Sequence, residues 1–90
     1  MSQLTKTVII SNQRGLHARA SAKFVQLAEQ FNAEVTVTKS GETVQATSIM
    51  GLMMLGASLA STVELAASGA QAEAAMAALT ALINDKFGEE

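Results

Sequence analysis

The sequence predicts an α+β domain, a four-stranded sheet with one face covered by helices. Three observations carry that prediction. Short runs rich in Thr, Val and Ile alternate with longer stretches in which apolar residues return every three or four positions, so elements of two periods are interleaved. Each strand candidate is apolar on one side and each helix candidate along one stripe, so each needs a partner layer. Ninety residues, 49% of them hydrophobic, suffice for one small domain, 1–90, with little core to spare.

In chain order, Thr5 to Ile10 reads as a strand with Lys6, Val8 and Ile10 on one side and Thr7 and Ile9 on the other. Ser11 to Gly15 is a loop. Phe24, Leu27, Ala28 and Phe31 then fall at helical spacing, with Lys23, Gln26 and Glu29 left for water, which predicts a helix over 18–32. Glu34–Lys39 and Glu42–Ala46 alternate on either side of Ser40-Gly41 and form a hairpin. Thr47 or Ser48 caps a short helix over 49–55 that stops at Gly56. Thr62–Ala67 is the fourth strand. Ala72, Met76, Leu79, Ile83 and Phe87 recur at intervals of four, three, four and four, predicting one long last helix, with Gly88-Glu89-Glu90 as a frayed tail.

Composition removes several function classes. With no Cys there is no disulfide and no cysteine metal site, which fits a reducing compartment. The N-terminal residues Met1 to Lys6 lack the pattern of a secretory signal, and the most apolar run, Ile49 to Ala57, is far short of the roughly 20 residues that span a bilayer. A soluble cytoplasmic protein that makes no membrane contact is expected. Six Lys and Arg in no basic run, with no Tyr or Trp, argue against nucleic acid. The charge is lopsided: Lys6, Arg14, Arg19 and Lys23 precede Glu29 with no carboxylate among them. That asymmetry suits a phosphate or an acidic partner surface, although four basic residues also serve as ordinary solubilising surface.

The only histidine lies among those cations, in Gly15-Leu16-His17-Ala18-Arg19-Ala20-Ser21. Gly15 allows a sharp turn from strand to helix, which puts His17 at the mouth of the first helix. There the backbone amides of Ala18 and Arg19 have no intrahelical acceptor and form an anion site worth about 0.3–1 kcal/mol when exposed. A phosphoryl group carried on His17 would be such an anion, with the Arg19 guanidinium donating to its oxygens. A metal site would want more ligands than one His with no Asp or Glu near it, so no metal and no cofactor are expected. A hydrolase triad would need a supporting carboxylate, and the sole Asp is Asp85. A purely structural capping histidine remains open, as does a non-catalytic binding module.

Ser48 stands at the second helix start, where an added phosphate would meet free amides, although serine at a cap is commonplace. The helix behind it is too apolar for one buried face. Some of Ile49, Met50, Leu52, Met53, Met54 and Leu55 should therefore be exposed as an adaptable contact patch, unless all of them are core.

Gly15-Leu16-His17-Ala18-Arg19 and Ser48-Ile49-Met50-Gly51-Leu52-Met53 together resemble, in order and 31 residues apart, the phosphorylation motif and regulatory-serine segment of the HPr family. These are phosphocarriers of phosphoenolpyruvate-dependent phosphotransferase systems, and the resemblance covers essentially the whole chain. It implies an open-faced β-sandwich of βαββαβα order with an antiparallel sheet. It also implies that His17 accepts phosphate at Nδ1 from phosphorylated enzyme I and donates it to an enzyme IIA domain. Arg19 would steady the phosphoryl group, Ile49, Met50 and Met53 would dock partners, and Ser48 would be modified by an HPr kinase where one exists. The carrier would be a monomer rather than an independent enzyme. Ala20 stands where the sugar-transport branch typically has Pro, and the Ile49–Gly56 run is similar to the nitrogen-related (NPr-type) branch, so that branch is the first expectation and general sugar transport the second. Thr47 stands where Lys is frequent before the serine.

Overall fold

A computed structural model of the chain describes residues 3–89, so the expectations for Met1, Ser2 and Glu90 lie outside the described residues. The elements follow in the expected order: β1 (Leu4–Ile9), α1 (Ala18–Ala28), β2 (Glu34–Lys39), β3 (Glu42–Gln45), α2 (Ile49–Met54), β4 (Thr62–Ser68) and α3 (Ala72–Asn84), then a 3-10 turn over Lys86–Gly88. All strand pairs are antiparallel and the sheet order is β1-β4-β2-β3. The last strand is thus inserted between the first two, with Val8 opposite Val63 and Val37 opposite Leu65.

Alternation along the strands builds the two faces. Val8, Val35, Val37, Val63, Leu65 and Ala67 are buried beneath the three helices, while Thr5, Thr7, Ile9, Thr62 and Glu64 lie exposed on the open side. Phe24 from α1, Leu52 from α2, and Leu79 and Ile83 from α3 complete the core. This is the α+β, βαββαβα arrangement that the pattern predicts.

Two helices are shorter than their apolar spacing suggests. Helix α1 ends at Ala28 rather than Asn32. The amides of Gln30 and Phe31 bond back three residues, to Leu27 and Ala28, which tightens the chain into a turn. Phe31 still packs against the core from that turn, so its spacing mimics another helical position.

The C-terminus departs further. Helix α3 stops at Asn84, and Lys86, Phe87 and Gly88 take φ of 57°, 57° and 74°. These left-handed residues reverse the chain, so that Phe87 reaches the core through a turn and is fully buried. Ser11 Oγ donates to Ile83 O at 3.1 Å and Lys23 Nζ to Phe87 O at 2.7 Å, fixing the turn to the opposite end of the sequence. The tail expected to fray therefore returns to the body of the protein through Gly88 and Glu89.

Candidate functional site

Gly15 makes the turn into α1. Its φ is +66°, and a Cβ there would lie 2.3 Å from Ala57 O, so neither the conformation nor the space admits a side chain. The next peptide is held on both sides: Leu16 N donates to Ala57 O at 2.9 Å, and Ser21 Oγ donates to Leu16 O at 3.2 Å. With the Leu16 side chain buried, His17 is projected at the N-cap position of α1, and 17% of its side chain remains accessible.

Both ring nitrogens are engaged. The Arg19 amide donates to Nδ1 at 3.2 Å, and Nε2 lies 2.6 Å from Glu89 Oε2. The partners settle the tautomer: an amide N–H can only donate and an ionised carboxylate can only accept. Neutral His17 therefore carries its proton on Nε2 and keeps the Nδ1 lone pair at the mouth of α1. The Glu89 carboxyl is held below the usual glutamate value of 4.5, first by the hydrogen bond from His17, then by Asn12 and by the charges of His17 and Arg14, with desolvation opposing them.

Asn12 and Glu89 are site residues that the sequence did not single out. Asn12 is buried, and its Nδ2 donates to Gly15 O at 2.9 Å and to Glu89 Oε1 at 3.2 Å, linking the turn before His17 to the returning tail. Its spacing of three from a turn glycine was a usable signal. For Glu89 the available hint was Phe87, which continues the apolar spacing of the last helix and so ties the residues beside it to the core. Glu89 also lines a recess of about 360 Å³ together with Ser11, Asn12, Gln13, Arg14 and Lys86.

Ala18 and Arg19 occupy the first turn of α1, both exposed. Among the described residues, no hydrogen bond or ion pair engages the Arg19 guanidinium, and the residue is exposed.

Ser48 is the N-cap of α2, its Oγ accepting from Gly51 N at 2.9 Å. Along α2, Leu52 is buried and Leu55 caps the helix inward, while Ile49, Met50, Met53 and Met54 are 41%, 67%, 40% and 75% exposed. Helices α1 and α2 pack against each other, and the chain that leaves α2 meets the turn before His17 where Leu16 N donates to Ala57 O. Among the described residues, no helix is long and apolar enough to cross a membrane.

Comparison with known proteins agrees with this geometry. Residues 4–85 match the family described as the PTS HPr component phosphorylation site. The phosphocarrier protein HPr of Neisseria meningitidis serogroup A is 54% identical over 86 residues, covering 96% of this chain and 97% of that protein. The phosphocarrier protein NPr of Shewanella violacea is 40% identical over 89 residues, covering 99% and 98%. The crystal structure of HPr-C-His from Thermoanaerobacter tengcongensis superposes with a TM-score of 0.91 at 47% identity, covering 100% of this chain and 99% of that one. The chain belongs to the HPr family of phosphotransferase-system phosphocarriers, whose members carry phosphoryl groups rather than act as independent enzymes.

Proposed function

We propose that this chain accepts a phosphoryl group at His17 Nδ1 from phosphorylated enzyme I and passes it to an enzyme IIA domain. The observation that carries the reading is His17 at the N-cap of α1, its side chain partly accessible and its Nδ1 accepting from the Arg19 amide, beside first-turn amides that favour an anion. Arg19 supplies an exposed guanidinium for the phosphoryl oxygens, and Ala18 and Arg19 supply the amides. These groups stabilise the transferred phosphoryl without placing a base to activate water against it. Ile49, Met50 and Met53 form the docking patch, Ser48 is the regulatory phosphorylation site, and one 1–90 monomeric domain acts in the cytoplasm.

Higher identity to a relative named HPr than to one named NPr, 54% against 40%, favours a general carrier over the nitrogen-related one. Ala20 and the Ile49–Gly56 run favour the nitrogen-related branch. Alanine in place of proline at the helix start leaves the anion site in place, so it bears on the partner rather than the chemistry. Transfer rates from the two types of enzyme I separate the branches.

The carrier reading is tested with phosphoenolpyruvate and enzyme I. Wild type should take an acid-labile phosphoryl group and His17→Gln should take none above background, a loss of at least about a thousandfold, or roughly 4 kcal/mol. Unlabelled, folded wild type would refute it.

A further inference from the structure

The C-terminal turn does something that the carrier reading does not require. Two consecutive non-glycine residues, Lys86 and Phe87, sit in the left-handed region. Each such residue costs on the order of 1–2 kcal/mol, and such strain persists where surrounding structure over-determines it. Here the Phe87 side chain is buried and its carbonyl accepts from Lys23. The result of that turn is one contact: Glu89, two residues on, meets Nε2 at 2.6 Å, with Asn12 holding its second oxygen. Among the described residues, Glu89 supplies the one hydrogen bond to Nε2.

We infer that Glu89 is a positioning residue for phosphoryl carriage: it anchors the Nε2 proton, presents Nδ1 to phosphorus, and balances the positive ring that forms when Nδ1 is phosphorylated. The inference rests on His17 being the carrier. When the Nδ1 lone pair attacks phosphorus, the donor's bond to phosphorus breaks and the donor keeps that electron pair. No proton leaves His17, because Nε2 retains its own, so the new N-phosphoimidazole carries a positive ring. A carboxylate on Nε2 stabilises that charge as the buried aspartate of a hydrolase triad stabilises an imidazolium. A protonated ring is also the better leaving group. On onward transfer the N–P bond breaks, its pair returns to Nδ1, and neutral His17 is restored with the proton where it began.

The test uses the full chain carrying Glu89→Ala, Glu89→Gln and Glu89→Asp, each labelled by enzyme I and phosphoenolpyruvate. Three quantities are read: the thermal midpoint, the rate of phosphoryl transfer to an enzyme IIA domain, and the pH profile for hydrolysis of the phosphorylated protein. Without the carboxylate, the pH at which phosphohistidine loses its ring proton should fall by at least about half a unit, because a facing negative charge has been removed. Transfer near neutral pH should slow about three- to tenfold in Glu89→Ala and Glu89→Gln and recover partly in Glu89→Asp, with the thermal midpoint within a few degrees of wild type. Hydrolysis profiles and transfer rates superposing on wild type would overturn the inference while leaving the carrier reading intact. So would slowing that follows loss of folded protein with an unmoved pH profile. Wild type that takes no label would overturn both.

Discussion

The two helix starts at His17 and Ser48 use one geometry for different ends. In each, an N-cap side chain accepts a backbone amide of the first turn, Nδ1 from Arg19 and Oγ from Gly51. What differs is the far side of the cap. His17 has a second nitrogen, and the chain spends its last described residues on holding it with Glu89. Ser48 has no second handle, and its helix turns four apolar side chains outward. The two starts therefore differ in what lies behind and beside the cap: a carboxylate on the second ring nitrogen of His17, and an exposed apolar patch beside Ser48.

The largest effect on that comparison should come from the turn before α1. Gly15→Ala must place a Cβ 2.3 Å from Ala57 O and 2.8 Å from Ser58 Cα in a left-handed conformation. We expect destabilisation of about 3 kcal/mol, combining left-handed strain with overpacking. Gly56, at the exit of α2, has the same φ of +66° with nothing within 4 Å of an added Cβ. Gly56→Ala should therefore show the conformational part alone, about 1 kcal/mol. Urea unfolding midpoints of the two variants measure the difference, and equal losses would mean that the Ala57 contact does not fix the approach to His17.

A smaller effect, about 1 kcal/mol, is expected from Ser48→Ala, which removes the acceptor for Gly51 N. For a chain of this length that lowers the thermal midpoint by roughly 5 °C. Ser48→Asp keeps an acceptor and should stay within about 0.5 kcal/mol of wild type while placing a charge beside Ile49 and Met50. Slower phosphoryl transfer in the stable aspartate variant would sharpen the contrast between the two caps. Unchanged transfer with both partners would detach Ser48 from the docking patch.

What was legible in the sequence follows the range of the forces involved. Local periodicity placed every strand and α-helix but not the turn over Lys86–Gly88, and Gly15 and Ser48 announced their turns and caps by residue type. Strand order was not legible, because the insertion of β4 between β1 and β2 depends on pairings such as Val8 with Val63, which no local pattern encodes. Spacing also misled where a turn imitated a helix: Phe31 and Phe87 both reach the core from outside their helices. For the site, His17 and the first-turn amides were legible from a single motif. Glu89 was not, since its role depends on Lys86 and Phe87 adopting a conformation that their residue types disfavour.

The smallest effect asks whether the grip behind His17 operates in solution. Glu89 should titrate below 4.5, chiefly because His17 donates to it, with Asn12 and Arg14 assisting. A carboxyl whose folded value is lowered contributes stability that is fully present above its unfolded value of 4.5 and is lost as pH falls through the lowered one. Carbon-13 titration of the Glu89 carboxyl in wild type and in His17→Ala measures it directly. In His17→Ala the midpoint should rise from its wild-type value, because the hydrogen bond that lowers it most and the facing charge are both removed. A wild-type midpoint at or above 4.5 would place the carboxylate in open solvent. The two helix starts would then differ only in the side chain at the cap, and the left-handed turn over Lys86 and Phe87 would serve the burial of Phe87 alone.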